Sequence, residues 1–262
     1  LIRRIDEARA AGIDVTMAQY PYTAGSTFLH VVIPPWYHSR GVDGLLRALR
    51  EERGAIKHDL DTRMDWENFS QSVGWEKIFV SSVVSEANQP CVGKSISQIA
   101  AERGHADPAD AAFDLLVEEQ LAVGMISFGL DEADITAIMR HPAVSFITDG
   151  LMSGRPHPRA YATYPRILGR YVREQGVLSL EEAVRKMTSL PARKIRLRNK
   201  GVIAEGYDAD LVVFDPDTVI DKNSYDDPRV HPAGIAHVLV NGVFVVEDAA
   251  LTGARPGRVI RD

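Results

Sequence analysis

The chain has 262 residues, enough to bury a sizeable core in one large domain or two smaller ones. Hydrophobic residues make up 45% and charged residues 25%, proportions that exclude a disordered or low-complexity chain. The net charge is −6, and the 30 Lys and Arg form no block, which excludes the basic footprint of a nucleic-acid or anionic-lipid partner.

The first predicted element is a helix in which Leu1, Ile5 and Ala8 recur among charges and Gly12 marks the stop. These charged residues do not read as a signal peptide, and with no opening Met the chain reads as one cut from, or missing, something upstream. A strand is expected over residues 13–17, then a Pro- and Gly-punctuated loop over 20–44. Helix, strand and long loop is the order of an α/β unit that ends in an active-site loop.

Residues from about 45 to 120 read as an excursion. It holds a β-branched strand at 80–84, a helix opened by a Ser95/Gln98 capping box, and a helix opened by Asp107-Pro108 with Phe113, Leu116 and Val117 on one face. A strand at 125–128 follows, then an amphipathic helix carrying Ile135, Ile138 and Met139 that Pro142 ends, then an apolar strand over 144–148 that stops at Asp149-Gly150. A Ser179/Glu182 capping box starts another helix, with Leu180, Ala183, Val184 and Met187 facing one way. From about residue 200 the period becomes strand-like. A strand is expected at 210–214, and Asn241-Gly242 between two apolar runs predicts a hairpin with a type I′ turn.

Cys91 is the single cysteine, so there is no internal disulfide and no Cys-based zinc motif, and a reducing, cytoplasmic setting is expected. No stretch approaches the ~18 apolar residues of a membrane span. Three segments can carry chemistry. Asp149 ends an apolar strand, where a carboxylate either binds a metal or takes a proton, or merely caps a turn. In Arg155-Pro156-His157-Pro158-Arg159, Arg159 can pair with a carboxylate and His157 can donate a hydrogen bond, whereas Arg155 reads as a surface charge. In residues 20–27, Tyr20 and Ser26 can each donate to a substrate carboxylate, or the segment is an ordinary Pro/Gly turn. The other histidines show no metal spacing, and there is no phosphate loop and no nucleophile elbow.

Four segments together resemble the N-acyl-D-amino-acid deacylase (D-aminoacylase) branch of the amidohydrolase superfamily. They are VTMAQYPYTAGST, then ITDG with HPRAYATYPRILGRYVRE, then LSLEEAVRKMTSLPAR, and GVIAEGYDADLVVFDPDTV with VLVNG. The resemblance implies an α/β fold: the last units of a (β/α)8 TIM-like barrel over residues 1–198, with a mobile lid inserted at about 36–120, and a β-sandwich part over 199–262. It implies hydrolysis of the amide of N-acyl-D-amino acids and one or two Zn2+ ions. By the same match Asp149 is a metal ligand and the general acid/base. Tyr20, Ser26 and Arg159 hold the substrate's α-carboxylate, and Leu130 lines the side-chain pocket. Two departures stand out. Ala18 occupies a position where the family shows Asp, and the earlier barrel strands with their zinc histidines lie outside the sequence. A partner chain or segment supplying the N-terminal half of the barrel is therefore expected, since a partial barrel would expose apolar surface and open strand edges. The rivals are a hydantoinase- or dihydroorotase-like cyclic-amide hydrolase and a non-catalytic subunit.

Overall fold

The computed structural model of the chain describes residues 1–152 and 154–260. The strands, in chain order, are β1 (Met17–Gln19), β2 (Gly25–Phe28), β3 (Ile78–Ser82), β4 (Gly124–Ser127), β5 (Val144–Phe146), β6 (Leu211–Phe214), β7 (Ile235–Val240), β8 (Val243–Glu247) and β9 (Ala250–Leu251). The chain divides into two compact units, one of residues 1–21, 133–149 and 158–262, the other of 22–132 and 150–157. Among the described residues no helix is long and apolar enough to cross a membrane.

The first unit is built on a parallel pair, β1 beside β5, with Met17 opposite Val144 and Gln19 opposite Phe146. β1 begins four residues later than the apolar run at 13–17 suggests. Ile13 is exposed, and strand pairing begins only where Met17 N–H reaches the Ala143 carbonyl at 2.9 Å. Val144 and Phe146 pack with Ile135 and Met139 of the helix Glu132–Met139, with Ile167 and Tyr171, and with Val219.

Lys186, fully buried, donates to the carbonyls of Met139 and His141 at 2.5 and 2.6 Å, satisfying backbone acceptors at that helix's C-terminal end. Burial pushes its ammonium down to about 8. The helix Leu180–Met187 has only half of the expected capping box. Ser179 accepts from the Glu182 N–H, but the Glu182 carboxylate turns to Arg185 at 2.6 and 2.7 Å instead of reaching back. In the antiparallel sheet β6-β7-β8-β9, Asn241 and Gly242 join β7 to β8 with φ of +48° and +77°, the two positive values a type I′ turn requires.

The second unit has the antiparallel sheet β2-β4-β3. β2 falls inside the expected loop: Gly25, Ser26 and Thr27 carry no apolar alternation, and only pairing with β4 makes them a strand. Helices Gly41–Glu51, Arg53–Thr62, Ile96–Arg103 and Pro108–Glu118 bury Leu45, Leu49, Ile56, Ile99 and Phe113 against it. The Ser95/Gln98 box is complete.

A buried carboxylate, Glu119, ties down the chain after β3. It accepts from the backbone N–H of Val84 and Ser85 at 2.6 and 3.0 Å, from the Ser85 hydroxyl, and from Asn88 at 2.7 Å. Burial by itself would raise its pKa; the Ser85 and Asn88 side chains and the two backbone donors outweigh burial and hold it at about 2.

Glu119→Ala leaves these donors without their acceptor and is expected to cost about 2–4 kcal/mol, read as a shift in denaturant midpoint. Because the folded-state pKa is depressed, this contribution is complete above the ordinary glutamate value of 4.5 and is lost as pH falls from there to about 2. The variant should therefore show a flatter acid-stability curve than wild type over that window.

Candidate active site

Because β1 and β5 run parallel, the residues that follow them emerge at the same end of the pair. Tyr20 leaves β1 directly, and Asp149 leaves β5 three residues on, after Ile147 N–H bonds the Gln19 carbonyl at 3.0 Å. Strand alternation decides the facing. Gln19 is buried and its side-chain amide donates to the Ile135 carbonyl at 2.9 Å, so Ala18 and Tyr20 face the opposite side. Asp149 has φ of +46°, a left-handed conformation that aspartate tolerates better than most residues.

Arg159 opens the helix Arg159–Arg166 with Pro158 as its cap. Its Nη2 lies 2.8 Å from Asp149 Oδ2, and its guanidinium carbon is 4.3 Å from the centre of the Tyr20 ring. The pair is lopsided: the Arg159 side chain is 2% exposed and that of Asp149 56%. A guanidinium taken out of water requires an anion, and the cation–π stacking covers one face of it. Asp149 meets that need while keeping much of its carboxylate open to solvent. Burial lifts the Tyr20 phenol above its ordinary value; the Arg159 charge opposes this and the Asp149 charge adds to it. Tyr20 is thus a neutral donor at physiological pH.

Of the five residues singled out in the sequence, the fold brings together Asp149, Arg159 and Tyr20. Ser26 and Leu130 belong to the other unit. There Ser26 sits in β2 opposite Ile126, and Leu130 is about half exposed with its N–H on the Thr23 carbonyl at 3.1 Å. His157, also in that unit, is buried; its Nε2 donates to the Ala24 carbonyl at 3.0 Å and its ring meets Tyr22 edge-on.

Sequence reasoning missed Arg166. Its Nε donates to the Pro21 carbonyl, next to Tyr20, at 2.9 Å, and its Nη1 pairs with Asp221 at 2.7 Å. Arg166 lies in the YPR run quoted above, but nothing in that run points to a partner 145 residues away.

Among the described residues no three or more His, Cys, Asp or Glu side chains converge as a metal site. Asp149 is ion-paired with a cation, Arg159. The donor set of these residues therefore does not fit a zinc ion without further ligands.

The amidohydrolase family profile matches residues 89–246. An N-acyl-D-glutamate deacylase of Alcaligenes xylosoxydans xylosoxydans is 38% identical over 261 residues, 99% of this chain and 44% of that protein. A D-aminoacylase of the same organism is 36% identical, over 97% of this chain and 43% of that protein. The crystal structure of N-acyl-D-glutamate deacylase from Bordetella bronchiseptica, complexed with zinc and a phosphonate mimic of the reaction's tetrahedral intermediate, superposes with a TM-score of 0.75 at 34% identity, covering 100% of this chain and 45% of that one. The chain spans less than half the length of these relatives.

The opposing charges around Tyr20 give a direct check on the cluster. Arg159→Met removes the cation and should raise the Tyr20 pKa further, whereas Asp149→Asn should lower it toward the ordinary value of 10. Titration of 13C-labelled tyrosine, assigned with Tyr20→Phe, reads both signs; shifts of the same sign in the two variants would contradict this arrangement.

Proposed function

The chain belongs to the amidohydrolase family, and we propose that it serves hydrolysis of the amide bond of N-acyl-D-amino acids, giving a carboxylate and a free D-amino acid. One observation carries the reading: a solvent-open aspartate and a buried arginine meet at the exit of two parallel strands. Deacylases among its relatives supply the chemistry to which that pair is suited.

In this reading Asp149 accepts the proton of the attacking water and returns it to the leaving amine. Arg159 offers its fork to the substrate's α-carboxylate, and Tyr20, a neutral phenol, donates beside it. The resemblance adds Ser26 as a further donor and Leu130 as a wall of the side-chain pocket. It also assigns the α/β part of the chain to the closing units of a barrel and the excursion at about 36–120 to a lid. One or two zinc ions, held mainly by ligands from a further segment or partner chain with Asp149 as this chain's contribution, would supply Lewis acidity when bound. Ala18 places a methyl group where the resemblance expects a carboxylate, on the Tyr20 side of β1.

Two measurements on the catalytically active protein test the reading. Asp149→Asn keeps the shape, and Asn accepts the left-handed backbone, but the amide cannot take up the water proton. Turnover should fall by at least ~10²–10⁴-fold with the fold intact by circular dichroism; a near-normal kcat would remove Asp149 from the mechanism.

For Arg159, substrates with an amidated or esterified α-carboxylate should lose most of their kcat/KM in wild type. Arg159→Ala should lose on the order of 2–5 kcal/mol on the free acid and become indifferent to that modification. Arg159→Lys should also be poor, since a point charge does not replace a planar fork. Equal cleavage of esters and free acids by wild type would favour a cyclic-amide hydrolase, whose substrates lack the free α-carboxylate.

A further inference from the structure

Residues 219–223 follow the end of β6 and pass beside both arms of the Tyr20–Arg159 cluster. Asp221 pairs with Arg166 at 2.7 Å, both side chains largely buried, and Arg166 Nε holds the Pro21 carbonyl at 2.9 Å, one residue beyond Tyr20. The Tyr171 hydroxyl reaches the same carbonyl at 3.4 Å. Two residues on, the Asn223 amide donates to the Pro158 carbonyl at 2.9 Å, in the peptide unit that joins Pro158 to Arg159, and to Pro228 at 3.0 Å.

The segment is itself pinned. Val219 is buried in the first unit's core, and its carbonyl accepts from Arg173 at 2.6 Å. Ile220 bridges to Ala233. Close approach is built in: a Cβ on Gly169 would lie 2.5 Å from the Val219 carbonyl oxygen, and one on Gly234 2.4 Å from Val219 Cα. These are backbone collisions that a flexible side chain cannot relieve.

We propose that residues 219–223 form a positioning strap for the substrate-carboxylate site, in which Asp221, through Arg166, sets Tyr20 and Asn223 sets Arg159. The physical basis is that the strap grips carbonyls flanking the two groups with donors that are themselves immobilised, and misplacing a binding group by about 1 Å costs on the order of 10²-fold. This rests on the reading of Arg159 and Tyr20 as carboxylate-binding groups. Arg166, Asp221 and Asn223 are positioning residues, none of them touching substrate.

The test uses the catalytically active protein, an N-acetyl-D-amino acid and its α-carboxamide. Asn223→Ala is expected to raise KM for the free acid roughly tenfold with little change in kcat, and to add nothing in an Arg159→Ala background. The same fold-loss in both backgrounds, or a lowered Tm with unchanged KM, would overturn the Asn223 limb. Arg166→Lys and Asp221→Asn should let the Tyr20 ring loosen, moving its phenol pKa downward toward the ordinary value in 13C-tyrosine titrations. An unchanged Tyr20 titration in both variants would overturn the Arg166–Asp221 limb. The titration needs no substrate. If wild type cleaves acid and carboxamide alike, the functional reading fails, and the strap stands or falls with Tyr20.

Discussion

The candidate site depends on a desolvation constraint at Arg159. Arg159 is 1% exposed, its guanidinium stacked on Tyr20, and a cation so placed needs a polar partner to offset its desolvation. Asp149 provides that match from the exit of β5, in a backbone conformation that aspartate accommodates. The pair is asymmetric in exposure: the arginine side chain is buried, whereas the carboxylate still faces solvent.

The same principle recurs elsewhere in the chain. Glu119 in one unit is a buried ion satisfied by two backbone and two side-chain donors, and Lys186 in the other is a buried ion bonded to two backbone carbonyls. Arg166 does this twice, pairing with Asp221 and holding the Pro21 carbonyl. Removing one side of any of these contacts leaves a desolvated partner behind, so their weight lies in specifying geometry more than in net stability. Where the chain must fold close on itself, glycine makes room: Gly169 and Gly234 admit residues 219–220 within distances that a Cβ would forbid.

Much of the local structure was legible from short-range signals. The Ser95/Gln98 box, the Asp107-Pro108 helix start and the Asn241-Gly242 turn depend on residues a few positions apart, so sequence alone determined them. The strand before Asp149 was legible from its apolar run, although β5 closes at Phe146 and Asp149 follows three residues on. The half-formed box at Ser179 shows the limit, since Glu182 had a competing partner three residues on, and the stronger charge-assisted pair prevailed.

What only the tertiary structure decided are the contacts between distant segments. β2 is a strand because β4 lies beside it, and β1 starts where β5 offers a carbonyl. The pairing of Arg159 with Asp149 joins two residues already singled out, but the stacking of Tyr20 on that arginine comes from packing, as do the Arg166 contacts to Pro21 and Asp221 at separations of 145 and 55 residues. Local propensities and caps act over a turn or two of chain. Which buried charge meets which acceptor is settled by the shared requirement to satisfy desolvated groups, and that requirement operates only once the distant segments have packed together.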